Sequence, residues 1–307
     1  MSHVTGLRER GYAIIRGFLP PDEVAEIRRE VDKVYAEGLK HHASYRDHNL
    51  LFEILNDPGV KQRLVIQAYW FSWINAKLEA LRRSPRYYEV LEPLLGPDIK
   101  QMVNQIHWKH PGGKYTYYRY HQDVRFRERK DLMTNLDRHY VTTGLAVNRQ
   151  GGFNGGLKVV PGSHERGYLG LSEDHAYIMV GDTQQDDELR AAGLDPAGVV
   201  QLEMEPGDLA LWTLYTVHGS AQNTSQEERI LMLNSYVRAE DSPHRGEWAF
   251  RGVRSVPLGR VPEICKYEQL REKPGPFYIE EDWTGESKAV EAEIAAAAGA
   301  AQASRAR

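Results

Sequence analysis

The chain has 307 residues, of which 41% are hydrophobic and 27% charged, with a formal net charge of −4 and a single cysteine, Cys265. That length suits one large domain or two small ones, and the composition is that of an ordinary globular protein. The acidic balance argues against a nucleic-acid groove or a polybasic membrane surface, one cysteine excludes a disulfide framework or a Cys-rich zinc site, and no apolar run approaches a membrane span.

The opening run MSHVTGLRERGYAII has no apolar core of signal-peptide type, and with the lone cysteine this makes a cytoplasmic protein the expectation. A charged lead-in and a Gly turn precede a short strand from Tyr12 to Ile15. Pro20-Pro21-Asp22 opens a helix, because the first N–H groups of a helix are unpaired and tolerate proline. Val24, Ile27, Val31 and Val34 recur at spacings of 3, 4 and 3, one apolar stripe that Gly38 ends. Residues 41–56 read as irregular. Asp57-Pro58-Gly59 then restarts helix, which Leu64, Ala68, Phe71, Ile74, Leu78 and Leu81 carry to Ser84-Pro85. Another short helix runs from about Arg86 to Glu92 and is closed by Pro93 and Gly96-Pro97. The first hundred residues are thus predicted to be mainly α.

From Ile99 short apolar and aromatic runs alternate with Gly, Pro and Asn clusters, the texture of antiparallel strands and turns. Strands are predicted at about 99–109, 115–121, 140–148, 156–160, 199–205, 208–213 and 229–238. The polar segment 165–198 reads as an insertion and a candidate lid, with Tyr168, Tyr177 and Met179. The Ala-rich tail from Ser287 reads as a frayed helix or as disordered. The predicted fold class is α+β: one domain over 1–286, with helices of about 20–96 buttressing a sandwich or jelly-roll core of about 99–240, and a flexible tail over 287–307.

The chemistry concentrates at His121-Gln122-Asp123. A His and an Asp two residues apart on a strand point to one face, and one imidazole with one carboxylate is two thirds of a 2-His-1-carboxylate site for non-haem Fe(II). The motif is short, and taken by itself it reads more readily as a charged turn beside a basic run. His218, before Gly219-Ser220, is a third ligand or a hydrogen-bonded structural residue. Arg229, eleven residues on, opens the apolar strand Ile230-Leu231-Met232-Leu233. It either grips a carboxylate with its planar fork or pairs at the surface with Glu227 or Glu228.

Taken together these residues resemble the phytanoyl-CoA dioxygenase-like family of Fe(II)/2-oxoglutarate oxygenases. The likeness rests on His121-Gln122-Asp123, on the run Asn154-Gly155-Gly156 through Pro161-Gly162-Ser163-His164, and on Gly207-Asp208 through His218-Gly219-Ser220, Asn223, Ser225 and Arg229. The opening GYAIIRGFLPPDEVAEIRREVD belongs to the same pattern, which spans about residues 11–238 in order. The resemblance implies a double-stranded β-helix (a cupin-like jelly roll), His121, Asp123 and His218 as catalytic iron ligands, and Arg229 on the distal carboxylate of 2-oxoglutarate with Ser220 beside it. Gln105 and Lys109 become candidate contacts of 2-oxoglutarate or substrate, although inert exposed strand residues read the same way. Fe(II), 2-oxoglutarate and O2 are then the cofactor and cosubstrates, and the reaction oxidises an unactivated C–H bond with succinate and CO2 as co-products. A carboxylate at Asp123 implies oxygenation, since halogenating relatives place halide there. His164 reads as part of the Pro-Gly-Ser-His turn. Many relatives carry Trp in the strand that here reads Thr142-Thr143-Gly144, which leaves more room or polarity near the cosubstrate.

For the substrate, Trp108, Tyr115, Tyr117, Tyr118, Tyr120 and Phe126 with Arg119, Arg125, Arg127, Arg129 and Lys130 read in two ways. They form either a rim for a small, anionic organic molecule or a solvated face balanced by Glu128 and Asp131. A non-catalytic jelly-roll binding protein and a zinc hydrolase or isomerase using the same His/Asp/His set are the competing readings.

Overall fold

Alternation with period two from Ile99 onward builds two facing antiparallel sheets in the computed structural model, which describes residues 2–126, 133–173, 186–259, 273–280 and 288–296. The strands are β1 (Tyr12–Ile15), β2 (Ser44–Asp47), β3 (Leu50–Asp57), β4 (Gln62–Tyr69), β5 (Ile99–Lys109), β6 (Tyr118–His121), β7 (Tyr140–Ala146) and β8 (Leu157–Val159). They continue as β9 (Val200–Gln201), β10 (Leu209–Thr213), β11 (His218–Ser220), β12 (Arg229–Arg238), β13 (Glu247–Arg251), β14 (Arg254–Ser255) and β15 (Phe277–Ile279). The helices are α1 (His3–Arg10), α2 (Pro21–Gly38), α3 (Ala76–Arg82), α4 (Pro85–Leu95) and α5 (Asp186–Ala191). The major sheet runs β1-β10-β7-β12-β5-β4-β3-β2-β15, with β13 and β14 attached to β5, and the minor sheet runs β6-β11-β8-β9. This is the expected α+β jelly roll, widened on one side.

The widening corrects the reading of the first hundred residues as mainly α. Residues 50–57 and 62–69 are strands paired to each other, and β4 continues the sheet onto β5. Leu64 and Ile66 pack with Leu55, Tyr115 and Tyr118, while Val65 and Ala68 join the core beneath the helices. A strand buried on both faces loses the alternation that distinguishes it from a buried helix, and its β-branched pair Val65-Ile66 was the surviving signal. Two smaller differences follow the same rule. The lead-in is the helix α1, capped by Ser2 and ended by left-handed Gly11. Helix α4 passes through Pro93 and stops at Leu95.

Along β12 the alternate residues Ile230 and Met232 face a core shared with Val24, Ile27, Val31 and Val34 of α2, whereas Leu231 and Leu233 face the space between the sheets with Leu157, Val159 and Trp212. The described flanks of the 165–198 insertion are scaffold: Leu171, Leu189 and Leu194 pack with Tyr120, Val160 and Val217, and Glu188 pairs with Arg119. Tyr177 and Met179 lie outside the described residues, as do Arg127, Glu128, Arg129, Lys130, Asp131 and Cys265. Within the tail expected to be flexible, residues 288–296 are helical, Val290 is buried, and Glu293 pairs with Lys61 at 2.9 Å.

Candidate metal centre

The minor sheet brings the two histidines together. Antiparallel pairing of β6 with β11 sets His121 directly opposite His218, with ring centroids 4.2 Å apart. Asp123 is not on the strand: β6 ends at His121, and Asp123 begins a 3-10 turn through Phe126. The turn aims the carboxylate back at both rings, with Asp123 Oδ1 3.8 Å from His121 Nε2 and 3.6 Å from His218 Nε2. These three ligand atoms lie within 4.8 Å of one another, and no other group of three such residues does so among the described residues.

The surroundings fix which atoms face inward. His121 Nδ1–H donates to the carbonyl of Arg119 (2.7 Å), and His218 Nδ1–H donates to the carbonyl of Thr216 (2.9 Å). Each ring is thereby held in the tautomer whose Nε2 lone pair points at the common space. Burial first, then the neighbouring His218, lowers the pKa of His121 below the ordinary imidazole range and keeps it neutral. Asp123 Oδ2 accepts from Thr142 Oγ1 (3.1 Å) and Trp212 Nε1 (3.3 Å), which leaves Oδ1 turned toward the imidazoles. Two neutral nitrogens and one carboxylate oxygen, converging and oriented from behind, fit a divalent transition metal and leave the remaining coordination positions open.

The other motif residues hold these elements in place. Gln122, fully buried between the two ligands, donates to the carbonyls of Gly167 and Tyr215 (2.7 Å each) and accepts from Leu169 N (2.7 Å). Ser163 Oγ accepts from Val217 N (2.8 Å) and so pins the residue before His218. His164 is part of its turn and not of the centre, with Nε2 3.1 Å from the carbonyl of Arg8. Gly155 holds φ at +70°, and a Cβ there would meet the carbonyl of Ala221 at 2.4 Å, so the Asn-Gly-Gly turn packs against the chain following β11. The room expected at Thr142-Thr143-Gly144 is taken: a Cβ on Gly144 would meet Trp212 Cζ3 at 3.0 Å, so glycine is what lets that indole lie flat and reach Asp123.

A buried pair of cations lies on the neighbouring rung of the major sheet. Arg229 and Lys109 are register partners on β12 and β5, 1% and 0% exposed. Glu228 pairs with Arg28 instead, which removes the surface reading of Arg229. Arg229 Nε donates to Gln150 Oε1 (3.1 Å), but its buried Nη1 has no partner, and burial pushes its pKa down to about 10. Lys109 Nζ donates to Ser220 Oγ (2.6 Å) and to the carbonyl of Ala221, so the expected Ser220 hydroxyl is engaged through Lys109. Neither cation forms an ion pair with a described carboxylate. Two buried positive charges without a counter-charge cost several kcal/mol each, which a bound carboxylate offsets. Gln105 lies on the same face of β5 as Lys109, and its Oε1 is 3.1 Å from His107 Nε2. Lys109 was legible as a strand residue in phase with Gln105; His107, Thr142 and Trp212 were not identified as site residues, because only the register of the sheets brings them there.

Comparison with known proteins agrees with this geometry. A model of the phytanoyl-CoA dioxygenase (PhyH) family matches residues 7–231. The chain is 27% identical over 246 residues to a probable alpha-ketoglutarate-dependent hypophosphite dioxygenase of Stutzerimonas stutzeri, covering 78% of each chain. It is 24% identical over 237 residues to the ectoine dioxygenase of Nocardia farcinica, covering 73% of this chain and 74% of that one. Among solved structures, EctD from S. alaskensis with 2-oxoglutarate and 5-hydroxyectoine shares the fold with a TM-score of 0.60 at 19% identity, over 85% of this chain and 87% of that one. The chain belongs to the phytanoyl-CoA dioxygenase family.

Proposed function

We propose that this member of the phytanoyl-CoA dioxygenase family is an Fe(II)/2-oxoglutarate-dependent dioxygenase that hydroxylates a C–H bond of a small organic molecule. The observation that carries the reading is the combination of a 2-His-1-carboxylate set with a buried Arg–Lys pair that has no counter-ion among the described residues. His121 Nε2, Asp123 Oδ1 and His218 Nε2 would hold Fe(II). Arg229 and Lys109 would take the distal carboxylate of 2-oxoglutarate, Lys109 being braced by Ser220. The chemistry such a centre supplies is the reaction of R–H, O2 and 2-oxoglutarate to R–OH, succinate and CO2.

The protein's own share is orientation and exclusion of water. Thr142 and Trp212 keep one carboxylate oxygen of Asp123 off the metal side, and Leu231, Leu233 and Trp212 make the floor apolar. A carboxylate aimed at both imidazoles supports oxygenation over halogenation, because the position a halide takes is filled. A zinc hydrolase using the same three ligands leaves the two buried cations without a role, and so does a non-catalytic binding protein. The substrates of relatives, hypophosphite and 2-aminoethylphosphonate among them, support a small substrate. No described helix is long and apolar enough to cross a membrane. Cytoplasmic residence is part of the same reading and rests on composition.

Anaerobic addition of Fe(II) and 2-oxoglutarate to the purified protein is expected to give a visible charge-transfer band. Asp123→Ala and His218→Ala lose it, whereas Arg229→Ala retains iron and needs a much higher 2-oxoglutarate concentration. Iron-loaded wild type without any band would sink the proposal. Substrate-stimulated succinate formation across a panel of small acids, phosphonates and amines then identifies the substrate.

A further inference from the structure

Strand β6 is an edge strand of the minor sheet, and its pairing with β11 is irregular. Tyr118 faces Ser220 and His121 faces His218, so Arg119 and Tyr120 stand against the single residue Gly219. A bulge of this kind bends the strand and re-aims the side chain that follows it, here the first metal ligand. Gly219 is what lets the bulge lie so close: a Cβ there would meet the carbonyl oxygen of Tyr118 at 2.8 Å and the carbonyl carbon of Arg119 at 3.2 Å. Bulged backbone on an edge strand has polar groups that no neighbouring strand takes up, and buried groups of that sort need other partners.

The carbonyl of Arg119 is taken by His121 Nδ1–H, and that of Tyr120 by the 165–198 insertion, where Ser172 Oγ donates to it (3.0 Å). Ser172 lies where the two described stems of the insertion meet. Its Oγ is 3.3 Å from Glu188 Oε2 on α5, and Glu188 pairs with the Arg119 side chain on the bulge itself. The carbonyl of Ser172 accepts from Arg125 Nη1 (2.6 Å), on the turn that begins at Asp123. Gly167 and Leu169, at the start of the insertion, bond to Gln122. Arg119, Tyr120, Gln122 and Arg125 are therefore each tied to the insertion, and the ligands His121 and Asp123 lie between them in the chain. Ser172 is 6% exposed and holds φ at +60°, a left-handed backbone that disfavours serine. Such backbone persists where its surroundings over-determine it, and it collects at functional sites.

Resting on the metal-centre reading above, we propose that Ser172, together with the Glu188–Arg119 pair, is a positioning residue of the iron centre: the stems of the insertion hold the β6 bulge that aims His121 and, through Arg125, the turn that aims Asp123. Neither Ser172 nor Glu188 touches the metal. They act on it from the outer side of the edge strand, where the minor sheet offers no further strand to keep the ligand backbone in place. The insertion is in this way a part of the metal centre, and a change in its stems reaches the ligands through backbone that they share.

The test uses the full chain without oxygen and without 2-oxoglutarate, so that it reads the metal centre alone. Fe(II) affinity is titrated directly. Co(II) serves as a second probe, because its visible ligand-field bands follow the positions of the ligands, and thermal melts follow the fold. Ser172→Gly and Ser172→Ala both remove the hydroxyl, but glycine relieves the left-handed backbone and alanine does not. Both are expected to bind Fe(II) about tenfold more weakly, the lower end of what outer partners of metal ligands contribute, and to shift the Co(II) bands alike. Their melting temperatures are expected to differ, the alanine variant melting lower. Arg119→Met combined with Glu188→Met removes both charges of the pair together and is expected to weaken Fe(II) binding in the same way. Wild-type Fe(II) affinity and Co(II) bands in any of the three overturn the proposal. So does a loss of iron affinity that follows the melting temperature, larger for alanine than for glycine, because that marks a merely structural role. A wild type that binds neither metal strikes the functional proposal itself and is seen before any variant is made.

Discussion

At Asp123, the carboxylate that would hold a metal is set by residues that would not touch it. Its outer oxygen is shared by Thr142 and Trp212, and Thr142 also meets Ser235 Oγ at 2.9 Å. Thr142→Val keeps the shape and removes one donor. Fe(II) affinity is expected to fall roughly tenfold, in the range found for outer partners of metal ligands, with the melting temperature nearly unchanged. Anaerobic Fe(II) titration checks it. Lys109 makes a prediction about pH. Burial first, then Arg229 and Lys158, lowers its pKa well below 10.5, and the groups around it are Arg229 on β12, Lys158 on β8, the Tyr118 ring on β6 and His107 on its own strand. Between that lowered value and 10.5 the folded chain binds fewer protons than the unfolded one, so this lysine's share of stability rises with pH across the window and is lost as pH falls through it. A dicarboxylate needs the ammonium form. 2-Oxoglutarate affinity is therefore expected to weaken as pH rises through the lowered pKa, with proton uptake on binding. Calorimetry in buffers of different ionisation heat measures the uptake, and Lys109→Met should abolish it.

At the scale of elements, the instructive pair is β7 and β10, where a glycine on one strand makes room for an indole on the next. Gly144→Val puts two methyl groups where Trp212 lies, and overpacking of this kind costs about 1–3 kcal/mol. Urea unfolding should show that loss, and Fe(II) affinity should fall with it, because the displaced indole no longer holds Asp123; stability lost without any change in iron binding argues against the link. Strands β7, β10 and β12 were legible because each has one face on the helices and one toward the facing sheet, and the turns between strands are marked by Gly, Pro and Asn. Strands β3 and β4 were not legible, because Leu64, Val65, Ile66 and Ala68 are buried on both faces and carry no period. The 3-10 turn at Asp123 was missed for a different reason: an H-x-D reads the same on a strand and across a strand end.

For the whole molecule, the buried cation pair is a site held at a cost to the ligand-free fold. Arg229→Met removes a buried charge that lacks a counter-ion among the described residues, and its apo melting temperature is expected to equal or exceed that of wild type despite the lost bond to Gln150. Conversely, 2-oxoglutarate at about a hundred times its Kd should stabilise the wild type by roughly 2.7 kcal/mol and leave Arg229→Met unmoved. Thermal melts with and without the cosubstrate decide both; a large drop in the apo variant would mean that Arg229 is chiefly structural.

The order of the motifs alone determined the family and the jelly roll and pointed to His121, Asp123, His218 and Arg229, because these depend on residue type and on spacing along one chain. The tertiary structure decided what surrounds them. That Ser220 is held by Lys109, that Thr142 and Trp212 share Asp123, and that His107 lies beside the cation pair all follow from register between strands far apart in sequence. Register is set by side-chain packing across two sheets, and no local pattern in the sequence encodes it.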